Sequence, residues 1–145
     1  MRRSGFGHFD TVWPETDFDG AITQYVKVPD SEAFTVACGG SDAELATIPC
    51  AYDTAENMVQ SAGVSRGERV LVPEASGGVG SALVQLLRPR DAEVISITGK
   101  AKREAIRRLG AARVLDRDAD PVDVLGTESV DVVIDNVGGR ASARC

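Results

Sequence analysis

The chain has one histidine, His8, and only three lysines in 145 residues. Ser76 and Ser81 have no histidine near them in sequence, so no nucleophile–base pair of the serine–histidine kind is legible. Positive charge is short as well: 16 Lys and Arg stand against 22 Asp and Glu, a net of -6. That excess argues against nucleic acid as a partner, because neutralising a phosphate backbone needs a basic face. It leaves room for a small anion, since a local turn can be positive in an acidic protein. Apolar runs are too short to cross a bilayer, so no membrane partner is expected. Arg2-Arg3 is basic, but Gly5-Phe6-Gly7-His8 lacks the form of a signal-peptide core. Cysteine is sparse, and Cys38, Cys50 and Cys145 are odd in number and widely spaced. They read as reduced thiols in a cytoplasmic protein.

What is present suffices for a core. Hydrophobic residues make up 43% of the chain, which excludes wholesale disorder and fits one domain or part of a larger one. The organising stretch is Arg69-Val70-Leu71-Val72-Pro73-Glu74-Ala75-Ser76-Gly77-Gly78-Val79-Gly80, running on to Leu87. It reads as an apolar strand, a tight glycine turn and an amphipathic helix. Such an order leaves unpaired N–H groups at a helix start, where an anion can sit, and glycines let backbone approach it. A glycine cluster alone is weak support, since any tight strand-to-helix turn can use one.

The remaining chain supplies context. Residues 1–19 have no clear period and read as loop, with Trp13 and Phe18 as packing residues. Ile22–Val28 alternates and predicts a strand ended by Pro29-Asp30. Ser41-Asp42-Ala43-Glu44 has the form of a capping box opening a short helix to about Thr47. Thr54 is placed to cap a second helix running to Ala62, with Gly63 as its stop. After Arg69–Val72 and its helix, which Pro89 ends, come strand Glu93–Ile97, helix Lys102–Leu109, strand Arg113–Leu115, a short helix at Val122–Leu125 and strand Val130–Ile134. Strands apolar on both faces and alternating with helices predict an α/β, Rossmann-type, doubly wound parallel sheet, partial, with about four strands. Asn136-Val137-Gly138-Gly139 is expected to lead into a further helix, but only Arg140–Cys145 follow, so a fragment of a longer protein, or a chain altered near its end, is expected.

Several segments resemble the medium-chain dehydrogenase/reductase superfamily, in its zinc-independent quinone-oxidoreductase-like and alcohol-dehydrogenase-like branch. They are Asp19-Gly20-Ala21-Ile22-Thr23-Gln24-Tyr25-Val26, Ala46–Met58, Ser76-Gly77-Gly78-Val79-Gly80, Leu109–Asp116 and Val130–Asp135. The resemblance implies that residues 1–52 are the tail of a GroES-like β substrate domain plus linker. Residues 53–145 would then be a partial Rossmann cofactor-binding domain.

The resemblance also implies site residues. N–H groups of Gly77, Gly78 and Val79, with Ser76 in the same turn, would face a cofactor pyrophosphate, and Gly80 would let the helix pack on the strand. Thr98 and Lys102 would hold a 2′-phosphate, so NADPH is expected over NADH; an NAD-selective fold would carry Asp or Glu near Thr98. Asn136, Val137 and Gly138 would line the nicotinamide side, and Thr54 matches a position close to it, although a plain helix cap explains it equally well. Zinc-dependent relatives can have a zinc ligand at the position of Cys50, but a catalytic zinc needs three protein ligands. Cys50 is expected to be a buried structural thiol, and no zinc is expected.

Two residues depart from the family pattern. Pro73 removes a backbone donor. Glu74 stands where Gly or Ala is usual, and a carboxylate about 6 Å from a pyrophosphate would cost roughly 1–3 kcal/mol. The implied function is hydride transfer from NADPH to a small-molecule acceptor of the quinone, enone or aldehyde kind, with no proton donor identifiable. The rival reading is an inactive nucleotide-binding remnant or interaction module, whose exposed sheet edge would invite another chain, a homodimer included.

Overall fold

A computed structural model describes residues 23–138, and the chain divides after Gly40 into two units. Readings that fall on residues 1–22 and 139–145, among them Trp13, Phe18, His8, Cys145 and any helix beyond Gly138, lie outside the described residues.

In the first unit, residues 23–40 carry a single 3-10 turn at Asp30–Glu32 and no strand. The strand expected at Ile22–Val28 is therefore absent from 23–28. Alternation favours a strand only where a neighbouring strand completes its backbone hydrogen bonds and covers one face. Here Tyr25, Val26 and Val28 are exposed, and the described residues of the unit offer no strand to pair with.

The second unit opens with α1 (Asp42–Ala46). Its capping box forms as the sequence predicts: Ser41 Oγ accepts from the Glu44 N–H, and the Glu44 carboxylate accepts from the Ser41 N–H at 2.8 Å. Helix α2 (Ile48–Ala62) begins six residues before Thr54, with Pro49 in its first turn, where a missing N–H costs nothing. Thr54 is thus interior, not a cap. Its hydroxyl donates to the Cys50 carbonyl at 2.7 Å, the back-bonding a mid-helix threonine adopts. Gly63 closes the helix at φ 62, in the left-handed region that glycine tolerates best.

Four parallel strands follow: β1 (Arg69–Val72), β2 (Glu93–Thr98), β3 (Arg113–Asp116) and β4 (Val132–Val133). Between them lie α3 (Gly78–Leu87), α4 (Arg103–Leu109) and α5 (Pro121–Leu125), and the order of the strands in the sheet is β3-β2-β1-β4. Two further bonds continue the ladder around the short β4, from Asp131 N–H to the Arg69 carbonyl and from Ile134 N–H to the Leu71 carbonyl. The sheet is apolar on both faces, as parallel sheets covered by helices must be. Val70, Val72, Val94 and Val114 pack with Ala55 and Val59 of α2, Leu83 and Leu87 of α3 and Ile106 of α4. Leu71, Ile95, Ile97 and Leu115 face the other way, toward Leu125 of α5. Full burial of a side chain such as Leu83 or Leu87 contributes about 1.5–3 kcal/mol.

Arg90 ties α2 to the end of α3. Its guanidinium reaches Glu56 at 2.5 Å and the Leu86 carbonyl at 2.7 Å. Among the described residues, no helix is long and apolar enough to cross a membrane.

Candidate functional site

With β2 on one side of β1 and β4 on the other, the chain reverses its winding direction at β1. A crevice opens outside the carboxyl ends of strands at such a point, and ligands of open α/β sheets bind there. Two adjoining hollows occupy it, sharing Glu74, Gly77 and Val137. The first, about 340 Å³, lies among Thr47, Cys50 and Ala51 of the α1–α2 segment, the turn Gly77–Gly80, and Asn136 and Val137 after β4. The second, about 470 Å³, is lined by Ser76, Lys102 and Arg117 as well as the shared residues.

The turn is built by close approach. A Cβ at Gly80 would stand 2.6 Å from the Glu74 carbonyl oxygen and 2.8 Å from the Ala75 Cα, so only glycine fits without moving backbone. Gly77 and Gly78 have ordinary space, with nearest atoms at 3.5 and 3.7 Å. The Gly77 N–H donates to the Glu74 carbonyl at 3.0 Å and is spent in closing the turn, which removes it from the anion donors expected there. Gly78 and Val79 remain: they open α3, no side chain caps that helix, and first-turn N–H groups have no carbonyl within the helix to bond. The partial positive charge of the helix start favours an anion at that spot.

The cations that follow β2 and β3 are paired unevenly. Lys100 and Arg103 lie 3.8 and 3.4 Å from the Asp116 carboxylate. Arg117 forms an ion pair with Glu74. Lys102 lines the hollow and enters no ion pair among the described residues. Glu74 itself has φ 48, an uncommon conformation for a residue with a Cβ.

Of the expected site residues, Ser76, Gly77, Gly78, Val79, Gly80, Lys102, Asn136 and Val137 come together around the crevice. Gly138 lies just beyond, its N–H donating to the Asp135 carboxylate at 3.1 Å while the Val137 N–H donates to the same oxygen at 2.8 Å. Thr54 does not line either hollow. Thr98 does not present its hydroxyl either. The parallel register sets it opposite Asp116 at the end of β2, and it is 0% exposed, its hydroxyl with no hydrogen-bond partner among the described residues.

Cys50 reverses an expectation: it is exposed and lines the first hollow, because the earlier start of α2 carries it to the crevice. Among the described residues, no group of three His, Cys, Asp or Glu side chains is arranged to hold a metal ion. Arg117 was missed by the motif reading. The signal available was its place, one residue past the end of β3 on the edge where ligands bind.

A nicotinamide dinucleotide fits this arrangement on structural grounds. The glycine turn brings backbone against the start of an uncapped helix, and two cations stand beside it.

No family model matches the chain. It is similar to 2-methylene-furan-3-one reductase of Solanum lycopersicum, at 31% identity over 82% of this chain and 31% of the relative. A solved structure described as a candidate alcohol dehydrogenase, from Sinorhizobium meliloti, is 41% identical with a TM-score of 0.74, covering 81% of this chain and 34% of that one. The quinone oxidoreductase of Thermus thermophilus, solved also in complex with NADPH, is 28% identical with a TM-score of 0.68, covering 74% and 37%. The chain spans between 2% and 35% of the length of the curated relatives it matches. With relatives and structural neighbours of this kind, on a parallel sheet wound in this order, the chain belongs to the medium-chain dehydrogenase/reductase superfamily and resembles its NAD(P)H-dependent oxidoreductases.

Proposed function

We propose that the chain is the nucleotide-binding part of an NADPH-dependent oxidoreductase that reduces a quinone, enone or aldehyde-like acceptor. The observation that carries the reading is the crevice at the strand ends, where an uncapped helix start lines one hollow and Lys102, with no ion-pair partner among the described residues, lines the adjoining one. Gly78 and Val79 would hold the pyrophosphate through backbone N–H groups. Lys102, with no carboxylate partner among the described residues, would take the 2′-phosphate that distinguishes NADPH from NADH. The bound cofactor supplies the hydride. The chain's own residues orient it: Asn136 and Val137 on the β4 side, and Thr47, Cys50 and Ala51 on the α1–α2 side, bound the end of the crevice away from Lys102. Holding donor and acceptor in register is the main contribution a protein can make to such a transfer.

Calorimetric titration with NADPH and NADH, in the parent and in Lys102→Ala, tests the reading. Saturable binding with NADPH preferred, and loss of that preference in the variant, is the expected result. Equal affinity for both cofactors in both proteins would remove the Lys102 assignment. Binding without oxidation of NADPH by any quinone or enone would make the chain a nucleotide-binding module, not an enzyme.

A further inference from the structure

We propose that Glu74 is a built-in competitor for the anion site, occupying Arg117 until a phosphate group displaces it. This rests on the crevice being the nucleotide site, and it adds a selecting contact that lies outside the glycine turn. Three observations carry it. Glu74 comes from the end of β1 and Arg117 from just past β3, two strands away, yet their side chains form an ion pair across the carboxyl end of β2. Both partners line the hollow that also holds Lys102 and Ser76, so the pair is part of the wall a ligand meets. The pair is also held from below. The Ala75 N–H donates to the Ile97 carbonyl at 3.0 Å, and the Arg117 N–H donates to the Thr98 carbonyl at 3.2 Å. Two consecutive carbonyls of one strand thus fix both backbones.

The backbone at Glu74 strengthens the case. At φ 48 this position suits glycine, and a side chain kept in a sparsely populated conformation is a reason to look for a role. A carboxylate and a phosphate recognise a guanidinium through the same paired N–H donors. A phosphate dianion arriving beside Lys102 therefore offers Arg117 a partner with greater charge than Glu74 supplies. A ligand without that phosphate cannot make the exchange and gains nothing from Arg117. The pair would therefore weaken NADPH, which must displace Glu74, and leave NADH little affected.

The test uses the full chain as parent, Glu74→Gln, Arg117→Met and the double variant. Each is titrated with NADPH, NADH and inorganic phosphate, and folding is checked by circular dichroism. Glu74→Gln should tighten NADPH and phosphate about three- to tenfold. NADH should change less, so its disadvantage against NADPH should widen. Arg117→Met should weaken NADPH and phosphate, and in its background the Glu74 change should no longer tighten either. Equal affinities for NADPH and phosphate in parent and Glu74→Gln would overturn the competition. Tightening of NADH as large as that of NADPH would also overturn it, since Glu74 would then act on the pyrophosphate alone. Phosphate taken up more tightly by Glu74→Gln, with no nucleotide bound by any variant, would uphold the competition and overturn the cofactor reading. No uptake of either ligand by any folded variant would overturn both.

Discussion

The position a Cβ would take on Gly80 lies 2.6 Å from the carbonyl oxygen of Glu74, closer than any side chain can sit. The start of α3 therefore rests directly on the turn that leaves β1. Gly80→Ala should lower stability by about 1–3 kcal/mol, as overpacking against backbone does. Gly78→Ala, whose nearest neighbour would be the Ala51 Cβ at 3.7 Å, should stay within about 0.5 kcal/mol of the parent. Urea midpoints of the two variants check the contrast. Equal midpoints would mean that the turn yields to an added methyl.

Thr98 supplies a second expectation. Its hydroxyl is buried and has no hydrogen-bond partner among the described residues, a condition that costs free energy. Thr98→Val keeps the shape and removes the hydroxyl. Stability should rise by up to about 1 kcal/mol, with NADPH affinity unchanged. A selective fall in NADPH affinity, measured by calorimetry beside NADH, would return Thr98 to the cofactor site.

Cys50 and Cys38 are both exposed, but only Cys50 lines a hollow of the crevice. Saturating NADPH should slow alkylation of Cys50 by a maleimide and leave Cys38 unaffected. Peptide mass spectrometry over a time course reads the two rates separately. Equal protection at both sites, or at neither, would place the nucleotide elsewhere.

Glu44 gives a pH dependence with a defined sign. Hydrogen bonds from the Ser41 backbone, then from the Ser41 side chain, hold its carboxyl below its ordinary value of 4.5. A carboxylate lowered on folding stabilises the folded state fully above its unfolded value and loses that contribution as pH falls through the folded one. The capping box of α1 should therefore open on the acid side of 4.5. The Ser41 amide resonance should move over that range by NMR. In Glu44→Gln, which keeps the acceptor and cannot titrate, the movement should vanish.

Much of the sheet was legible because its signals are local. Arg69–Val72 is bounded by charge and proline, and its strand limits match the reading residue for residue. The Ser41–Glu44 box and Gly63 were equally plain, since caps depend on neighbours three or four residues away. The errors share a different cause. A strand at 23–28 needed a partner strand, which no local pattern can guarantee. Thr54 has the chemistry of a cap, but Pro49 already supplied a helix start upstream. The burial of Thr98 depends on the register of β2 against β3, and the exposure of Cys50 on where α2 begins. Arg117 reaches its partner across 43 residues of chain, a distance at which sequence carries no geometric signal.

The two carbonyls at the end of β2 have a mechanical consequence. Because the Ile97 carbonyl holds the backbone beside Glu74 and the Thr98 carbonyl holds that of Arg117, the two flanks of the proposed anion site are joined through a single peptide unit. The short end of β2 is thus the gauge to which the proposed site is cut.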